Sequence, residues 1–223
     1  MFFCNKACET GAVGSIVRII SMLTSVVAAS ASHDRMDMID AYLGQFGIRG
    51  LPPLSVKFGT RELHGEVSSY LKPDDDSWMN TMPDVSWRFP PGTKATVLFI
   101  DIDAGGRPAS DTVAGAKGPY IHSLWTDCTA GTLSASSCRE VKPYKAPGNI
   151  AAKKNRYTWV LFKQGKDDAV VDLKWPGMTR FGTHFDMAQF QKANPGFTAA
   201  ATNFMQVGGN KLRKARKGRR KTM

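Results

Sequence analysis

The spacing of apolar residues changes part-way along the chain, from the period of a helix to that of a strand. Residues 33–46 carry an apolar stripe at helical spacing, formed by Met36, Ile39, Leu43 and Phe46. Gly47 follows this stripe as a helix stop, and the segment 50–53, rich in Gly and Pro, indicates a linker. We therefore predict a short helix and linker over 33–53, ahead of a main domain over 54–207.

Within that domain the sequence alternates apolar and polar residues or runs fully apolar, as strands do. Five segments fit a strand: 54–58, 85–89, 96–100, 123–126 and 157–163. Their connections are long and rich in Gly, Pro, Asp and Ser, which favours a mainly β, antiparallel sandwich over a βαβ array. Two short C-terminal helices are predicted over 183–193 and 197–206, separated by the Asn-Pro-Gly turn signal at 194–196.

Composition adds a charge asymmetry to this picture. The 223 residues are 42% hydrophobic and 22% charged, which excludes collagen, coiled coil and wholesale disorder. The net charge is +11, but the basic tail within 208–223 carries 8 basic residues and no acid, which leaves only +3 on the rest. These residues are Lys211, Arg213, Lys214, Arg216, Lys217, Arg219, Arg220 and Lys221. Such a run is typical of a solvated tail or of an anchor to RNA, where each neutralised phosphate releases counterions.

Residues 12–29 form an apolar stretch that approaches the length of a membrane span. Arg18 interrupts it, and because a charge at mid-span costs about 2.5–3.5 kcal/mol we predict no membrane span. Residues 1–32 then fit three interpretations: a secretory signal, a mitochondrial presequence, or an extension packed on the body or a partner. The mitochondrial one is favoured, because Glu9 is the only acid before Asp34 and the apolar residues follow a helical stripe.

The sequence gives little sign of metal or catalytic chemistry. The four cysteines, at positions 4, 8, 128 and 138, are too few for a disulfide-built scaffold and leave the redox compartment open. Cys4 and Cys8 lack a second Cys or His pair to complete a zinc site, so we predict no metal. No G-x-S-x-G segment accompanies the acidic and His residues, so we expect neither a catalytic residue nor an enzyme.

One group of polar residues does suggest a site. Asp101 and Asp103 stand where an apolar strand opens into a glycine-rich loop, and residues two apart on a strand face the same side. The carboxylates of Asp101 and Asp103 are therefore expected to line one pocket. His122 and Tyr157, which lie on later strands, are the other candidate residues of that pocket.

The chain resembles the phosphatidylethanolamine-binding protein family over roughly 54–207. The matching segments are PDVSW at 83–87, DIDA at 101–104, HSL at 122–124, RYTWVL at 156–161, MTRF at 178–181 and Asn-Pro at 194–195. The resemblance implies a two-sheet antiparallel sandwich with C-terminal helices. It also implies an anion pocket built from Asp101, Asp103, His122 and Tyr157.

The sequence departs from the family pattern around that pocket. Ile102 and Gly105 stand where the family has Pro, while Ile121 and Asn155 replace His. Such a pocket has lost donors, and two carboxylates repel a phosphate-type ligand unless other groups offset them. We expect either a weakened anion pocket or, favoured, a vestigial one whose polar residues are structural.

These features lead to one functional hypothesis and its rivals. The family has a branch in the large subunit of the mitochondrial ribosome, so the leading hypothesis is a structural component that contacts ribosomal RNA and neighbouring ribosomal proteins through its basic tail. The alternative is a soluble regulatory protein that binds a phospholipid head group or another small anion, without a cofactor. Mitochondrial localisation goes with the first, and cytoplasmic or secreted localisation with the others.

Overall fold

Eight strands in two antiparallel sheets build the protein in the computed structural model, which describes residues 38–64, 76–148, 154–165 and 182–208. The strands are β1 (Ser55–Phe58), β2 (Arg61–Glu62), β3 (Asp84–Ser86), β4 (Ala95–Asp101), β5 (Tyr120–Cys128), β6 (Arg139–Lys142), β7 (Asn155–Lys163) and β8 (Thr198–Val207). The small sheet has the order β2-β1-β3 and the large sheet β6-β5-β4-β7-β8. The predicted mainly β, two-sheet sandwich is confirmed.

Helical structure is sparse in the described residues. Helix α1 covers residues 38–43 and continues into a 3₁₀ turn, Gly44–Phe46; a second 3₁₀ turn, Asp76–Met79, precedes β3. Helix α2 spans Met187–Ala193, and the carboxylate of Asp186 caps it by accepting a hydrogen bond from the backbone N–H of Gln189 at 3.0 Å. No helix of the described residues is long and apolar enough to cross a membrane.

The central strands of the large sheet are buried on both faces, which explains the uninterrupted apolar run of β4. Val97 and Phe99 pack in a core cluster shared with the small sheet. Leu98 and Ile100 point the other way, into a second cluster shared with the helices. We call these the sheet face and the helix face of the large sheet.

Helix α1 belongs to this second core. Ile39 and Leu43 are fully buried there with Phe190 of α2, so the predicted stripe lies against the sandwich. Segment 38–53 is thus packed on the sandwich that was predicted to begin only at residue 54. Met36, the 1–32 extension and the tail at 211–223 lie outside the described residues.

The prediction of a second C-terminal helix is wrong, because residues 198–207 form β8. Their apolar residues fit a helical period, yet Phe204 packs on the helix face while Met205 and Val207 pack on the sheet face. A strand covered on both sides needs no polar alternation. β8 pairs with the whole length of β7, from Asn155↔Val207 to Lys163↔Thr198.

The outer edge of β8 is also occupied. The backbone N–H of Leu54 donates to the carbonyl of Thr202 at 2.8 Å, and the N–H of Thr202 donates to the carbonyl of Pro52 at 3.1 Å. Asn203 Nδ2 adds bonds to the carbonyls of Leu54 and Leu63 at 2.7 and 2.9 Å. These contacts join the small sheet to the large one.

At the far end of β5, Cys128 is joined to Cys138 by a disulfide across the loop before β6. The sequence left the pairing of these cysteines open. The other two cysteines lie outside the described residues.

Candidate functional site

Three of the four predicted pocket residues meet at one end of the large sheet. Asp101 ends β4, and the antiparallel register sets it beside Tyr120 at the start of β5 and beside Tyr157 near the start of β7. The ring of Tyr157 lies 5.1 Å from that of His122 between centroids. Asp101, His122 and Tyr157 thus form one polar cluster at the end of the sheet face.

Asp101 is nearly buried, and its carboxyl accepts three kinds of donor. The backbone N–H of Asp103 donates to Oδ1 and Asn155 Nδ2 donates to Oδ2, both at 2.9 Å, and the hydroxyl of Tyr157 donates as well. Burial nevertheless raises the pKa of Asp101 to about 7, outweighing these hydrogen bonds. Near neutral pH this carboxyl therefore keeps a proton far more readily than an ordinary aspartate does.

Asp103 does not share that cluster. β4 ends at Asp101, so Asp103 lies in the turn beyond it, and the expectation that the two carboxylates face the same side is wrong. Its oxygens accept from Arg156 instead, Oδ1 from Nη2 at 2.7 Å and Oδ2 from Nε at 3.0 Å. Both side chains are fully buried, so Asp103 is committed to an internal ion pair.

Arg156 uses its remaining donors on backbone carbonyls. It donates to the carbonyls of Asp111 at 2.6 Å, Val113 at 3.0 Å and Met38 at 3.2 Å. One guanidinium thus holds the long 102–119 loop, the start of α1 and Asp103 together. Arg156 was not among the predicted site residues. Adjacent residues on a strand face opposite sides, so Arg156 faces away from the cluster to which Tyr157 belongs.

His122 is fixed in one orientation by the loop after β6. Its Nδ1 lies 2.7 Å from the carbonyl oxygen of Lys145, and the backbone N–H of Lys145 donates to the carbonyl of His122 at 2.8 Å. Burial, helped by the charges of Lys145 and Lys142, lowers the pKa of His122 to about 4. The imidazole is therefore neutral at physiological pH.

Cations and a phenol surround this imidazole on the solvent side. Lys145 Nζ donates to the Tyr120 hydroxyl at 3.0 Å and lies 4.9 Å from the centre of that ring; Lys142 Nζ lies 5.4 Å from the same centre. The Tyr120 ring in turn packs edge-on against His122 at 4.7 Å. We call Tyr120, Lys142 and Lys145 the cationic rim.

Sequence reasoning missed the cationic rim. Its signal is the short segment Lys142-Pro143-Tyr144-Lys145, whose position beside His122 depends on backbone bonds that no periodicity reveals. Tyr144 contributes an inner wall by stacking on Phe99 at 5.9 Å, while its hydroxyl donates to the carbonyl of Met79 at 2.7 Å.

The cluster and rim suit an anion better than a metal. The described residues hold no group of three or more His, Cys, Asp or Glu side chains able to bind a metal ion. They offer an aromatic floor, two ammonium groups, a phenol and one imidazole. The eight basic tail residues that were predicted to bind RNA lie outside the described residues, so their role stays a prediction.

Comparison with known proteins bears on the fold. No protein-family model matches the chain, and no curated protein matches it by sequence. Among solved structures it is similar to a phosphatidylethanolamine-binding protein from Plasmodium vivax, with 14% identity and a TM-score of 0.60 over 81% of this chain and 97% of that one. It is also similar to a carboxypeptidase Y inhibitor solved in complex with its cognate proteinase, with 14% identity and a TM-score of 0.62 over 81% of this chain and 96% of that one.

A phosphatidylethanolamine-binding protein from Plasmodium falciparum is similar as well, with 12% identity and a TM-score of 0.55 over 78% of this chain and 95% of that one. The chain therefore has the fold of phosphatidylethanolamine-binding proteins, as its motifs suggested. These neighbours give no support to the mitochondrial ribosomal branch of the family.

Proposed function

We propose that this protein binds a small phosphate-type anion, free or as part of a lipid head group, at the cationic rim beside His122. One observation carries the proposal: the Lys145 ammonium lies against Tyr120 and has no carboxylate within ion-pair distance in the described part of the chain. An ammonium placed at a nearly buried polar cluster, with no acid to neutralise it, is suited to an anionic ligand.

The groups behind the rim support this proposal. Asp103, which would repel an anion, is neutralised by Arg156. Burial raises the pKa of Asp101 to about 7, so near neutral pH its charge opposes an anion less than an ordinary carboxylate would. The repulsion expected from two carboxylates is therefore reduced.

The test is a calorimetric titration of the full chain with inorganic phosphate and with glycerol 3-phosphate, a phosphate monoester that stands for a lipid head group. Lys145→Gln should weaken binding of both by about tenfold, the equivalent of about 1.4 kcal/mol for a lost charge-assisted hydrogen bond. Lys163→Gln is the matched control, because Lys163 is an exposed lysine at the opposite end of β7. Equal affinity in all three proteins, or no binding at all, would refute the proposal.

A second candidate function rests on the tail. The 8 basic residues without an acid in 211–223 favour a structural, RNA-contacting component of the mitochondrial large ribosomal subunit, and the acid-poor N-terminus fits a mitochondrial address. Sedimentation of a mitochondrial lysate, with the tagged chain followed through a salt-graded gradient, tests it. Co-migration with the large subunit that is lost on deleting 211–223 is expected; migration as a free protein of about its own 24.4 kDa mass would exclude it.

A further inference from the structure

The tautomer of His122 follows from its partner. The Lys145 carbonyl oxygen can only accept, so the proton of the neutral ring is on Nδ1 and the bond of 2.7 Å is donated by the imidazole. Nε2 is left with a lone pair. It is an acceptor, the opposite of what an anion-binding group normally provides.

Nε2 is also the ring atom available to a ligand. It makes no hydrogen bond within the described part of the chain. The buried side-chain polar atoms there that lack a partner are Trp125 Nε1, Thr158 Oγ1 and Thr202 Oγ1. Since Nε2 is not among them, it lies at the exposed 5% of the residue.

The surroundings keep the ring in this state. Tyr120, Tyr157 and Phe99 pack around it, and the two charged groups that act on it, Lys142 and Lys145, both disfavour a second positive charge. The carboxyl oxygens of Asp101 are already taken by Asn155, Tyr157 and the backbone of Asp103. Among the residues that the structure describes, no carboxylate hydrogen-bonds to the imidazole or forms an ion pair with it, so none there draws a proton onto Nε2.

We propose that the site selects an anion that still carries a proton, as phosphate and its monoesters can, and rejects one that carries none, such as sulfate. The ligand's O–H would donate to His122 Nε2 while its charged oxygens accept from Lys145 Nζ and the Tyr120 hydroxyl. A fully deprotonated anion places an oxygen lone pair against the lone pair of Nε2. This repulsion lowers its affinity, relative to that of a protonated anion, by about as much as the loss of a hydrogen bond would. The inference rests on the proposed anion site and specifies its ligand.

Inorganic phosphate and sulfate test it at pH 7, where phosphate keeps at least one proton and sulfate keeps none. We expect the full chain to bind phosphate at least about tenfold more tightly than sulfate. In His122→Gln the amide offers a donor where Nε2 was, and the ratio should fall towards one through tighter sulfate binding. Lys145→Gln should weaken both ions and leave the ratio unchanged.

The outcomes separate the inference from the function on which it rests. Equal binding of the two ions by the wild-type chain overturns the inference and leaves the anion site standing, whereas binding of neither overturns both. If His122→Gln fails to fold, nitrogen-15 spectra of the wild-type histidines decide. A pyridine-like signal for His122 Nε2 that moves on adding phosphate but not sulfate is expected, and a protonated Nε2 would refute the inference.

Discussion

Two polar groups at the same end of the large sheet differ in whether their charges are neutralised. On the helix face, Arg156 and Asp103 neutralise each other at 2.7 Å and are fully buried, and the guanidinium is saturated by backbone carbonyls. On the sheet face, within the described ranges, Nε2 of His122 makes no hydrogen bond and Lys145 has no carboxylate within ion-pair distance. The first arrangement leaves the guanidinium no donor for a ligand, while the second is where we propose that an anion binds. Neighbouring residues of one strand, Arg156 and Tyr157, thus serve different purposes.

The largest expected effect comes from breaking the saturated group. Arg156→Met leaves the Asp103 carboxylate buried without its ion partner, so the free energy of unfolding in urea should fall by about 3–5 kcal/mol. The double variant with Asp103→Leu should recover much of that loss, because it removes the unpaired charge. Arg139→Gln is the control: it removes the exposed ion pair of Arg139 with Asp127 and should cost less than about 1 kcal/mol. An equally small effect of Arg156→Met would contradict the comparison.

A smaller effect concerns pH and follows from two opposite pKa shifts. The pKa of Asp101 is raised from 3.8 to about 7, so between these values the folded chain holds a proton that the unfolded chain releases, and its contribution to stability falls as pH rises. The pKa of His122 is lowered from 6.5 to about 4, so there the unfolded chain holds the extra proton and stability rises with pH. Between about pH 4 and 6.5 the two contributions cancel in the wild-type chain.

Single variants should expose each slope. Asp101→Asn should become more stable from pH 4.5 to 6.5, and His122→Gln less stable, each by roughly 1 kcal/mol per pH unit. Urea midpoints measured across this range, with the wild-type chain as the flat reference, decide the matter. If the urea midpoints of the two variants changed with pH in the same way, the pKa shifts of Asp101 and His122 would not be the source of the pH dependence.

The smallest effect on stability is expected at the rim. Lys145 is exposed, and in the part of the chain that the structure describes its side chain hydrogen-bonds to the Tyr120 hydroxyl alone, so Lys145→Gln should change the free energy of unfolding by less than about 0.5 kcal/mol. The same substitution is expected to weaken phosphate binding, which separates the residues that serve the ligand from those that serve the fold. A loss of stability comparable to that of Arg156→Met would place Lys145 with the latter.

The strands could be predicted from the sequence where one face or both faces of the strand are clearly buried. The β1 alternation and the apolar runs of β4 and β7 indicate strands directly, and the antiparallel arrangement follows from the connections. β8 could not be predicted, because Ala and Thr residues around Phe204 satisfy a helical period equally well. Only pairing with β7, a contact between distant parts of the chain, decides between the two.

The site was predictable to the extent that strand register determines it. Asp101 and Tyr157 are Cα partners across β4 and β7, and His122 lies on the other neighbour of β4. The side expected for Asp103 was wrong because this residue lies two positions beyond the end of β4, where the alternation of faces no longer holds. Lys142 and Lys145 were missed because their position depends on the course of a loop.

The segment before β1 has a consequence for association between molecules. Its contacts with Thr202 include a parallel bridge at Pro53, a residue without an N–H to offer a further strand. The opposite edge, β6, is only four residues long and carries Arg139, Glu140 and Lys142. Unpaired edges of a sheet are where chains add to one another and aggregate, and short, charged or covered edges prevent this. Both edges of the large sheet are therefore protected against the addition of a strand from another molecule.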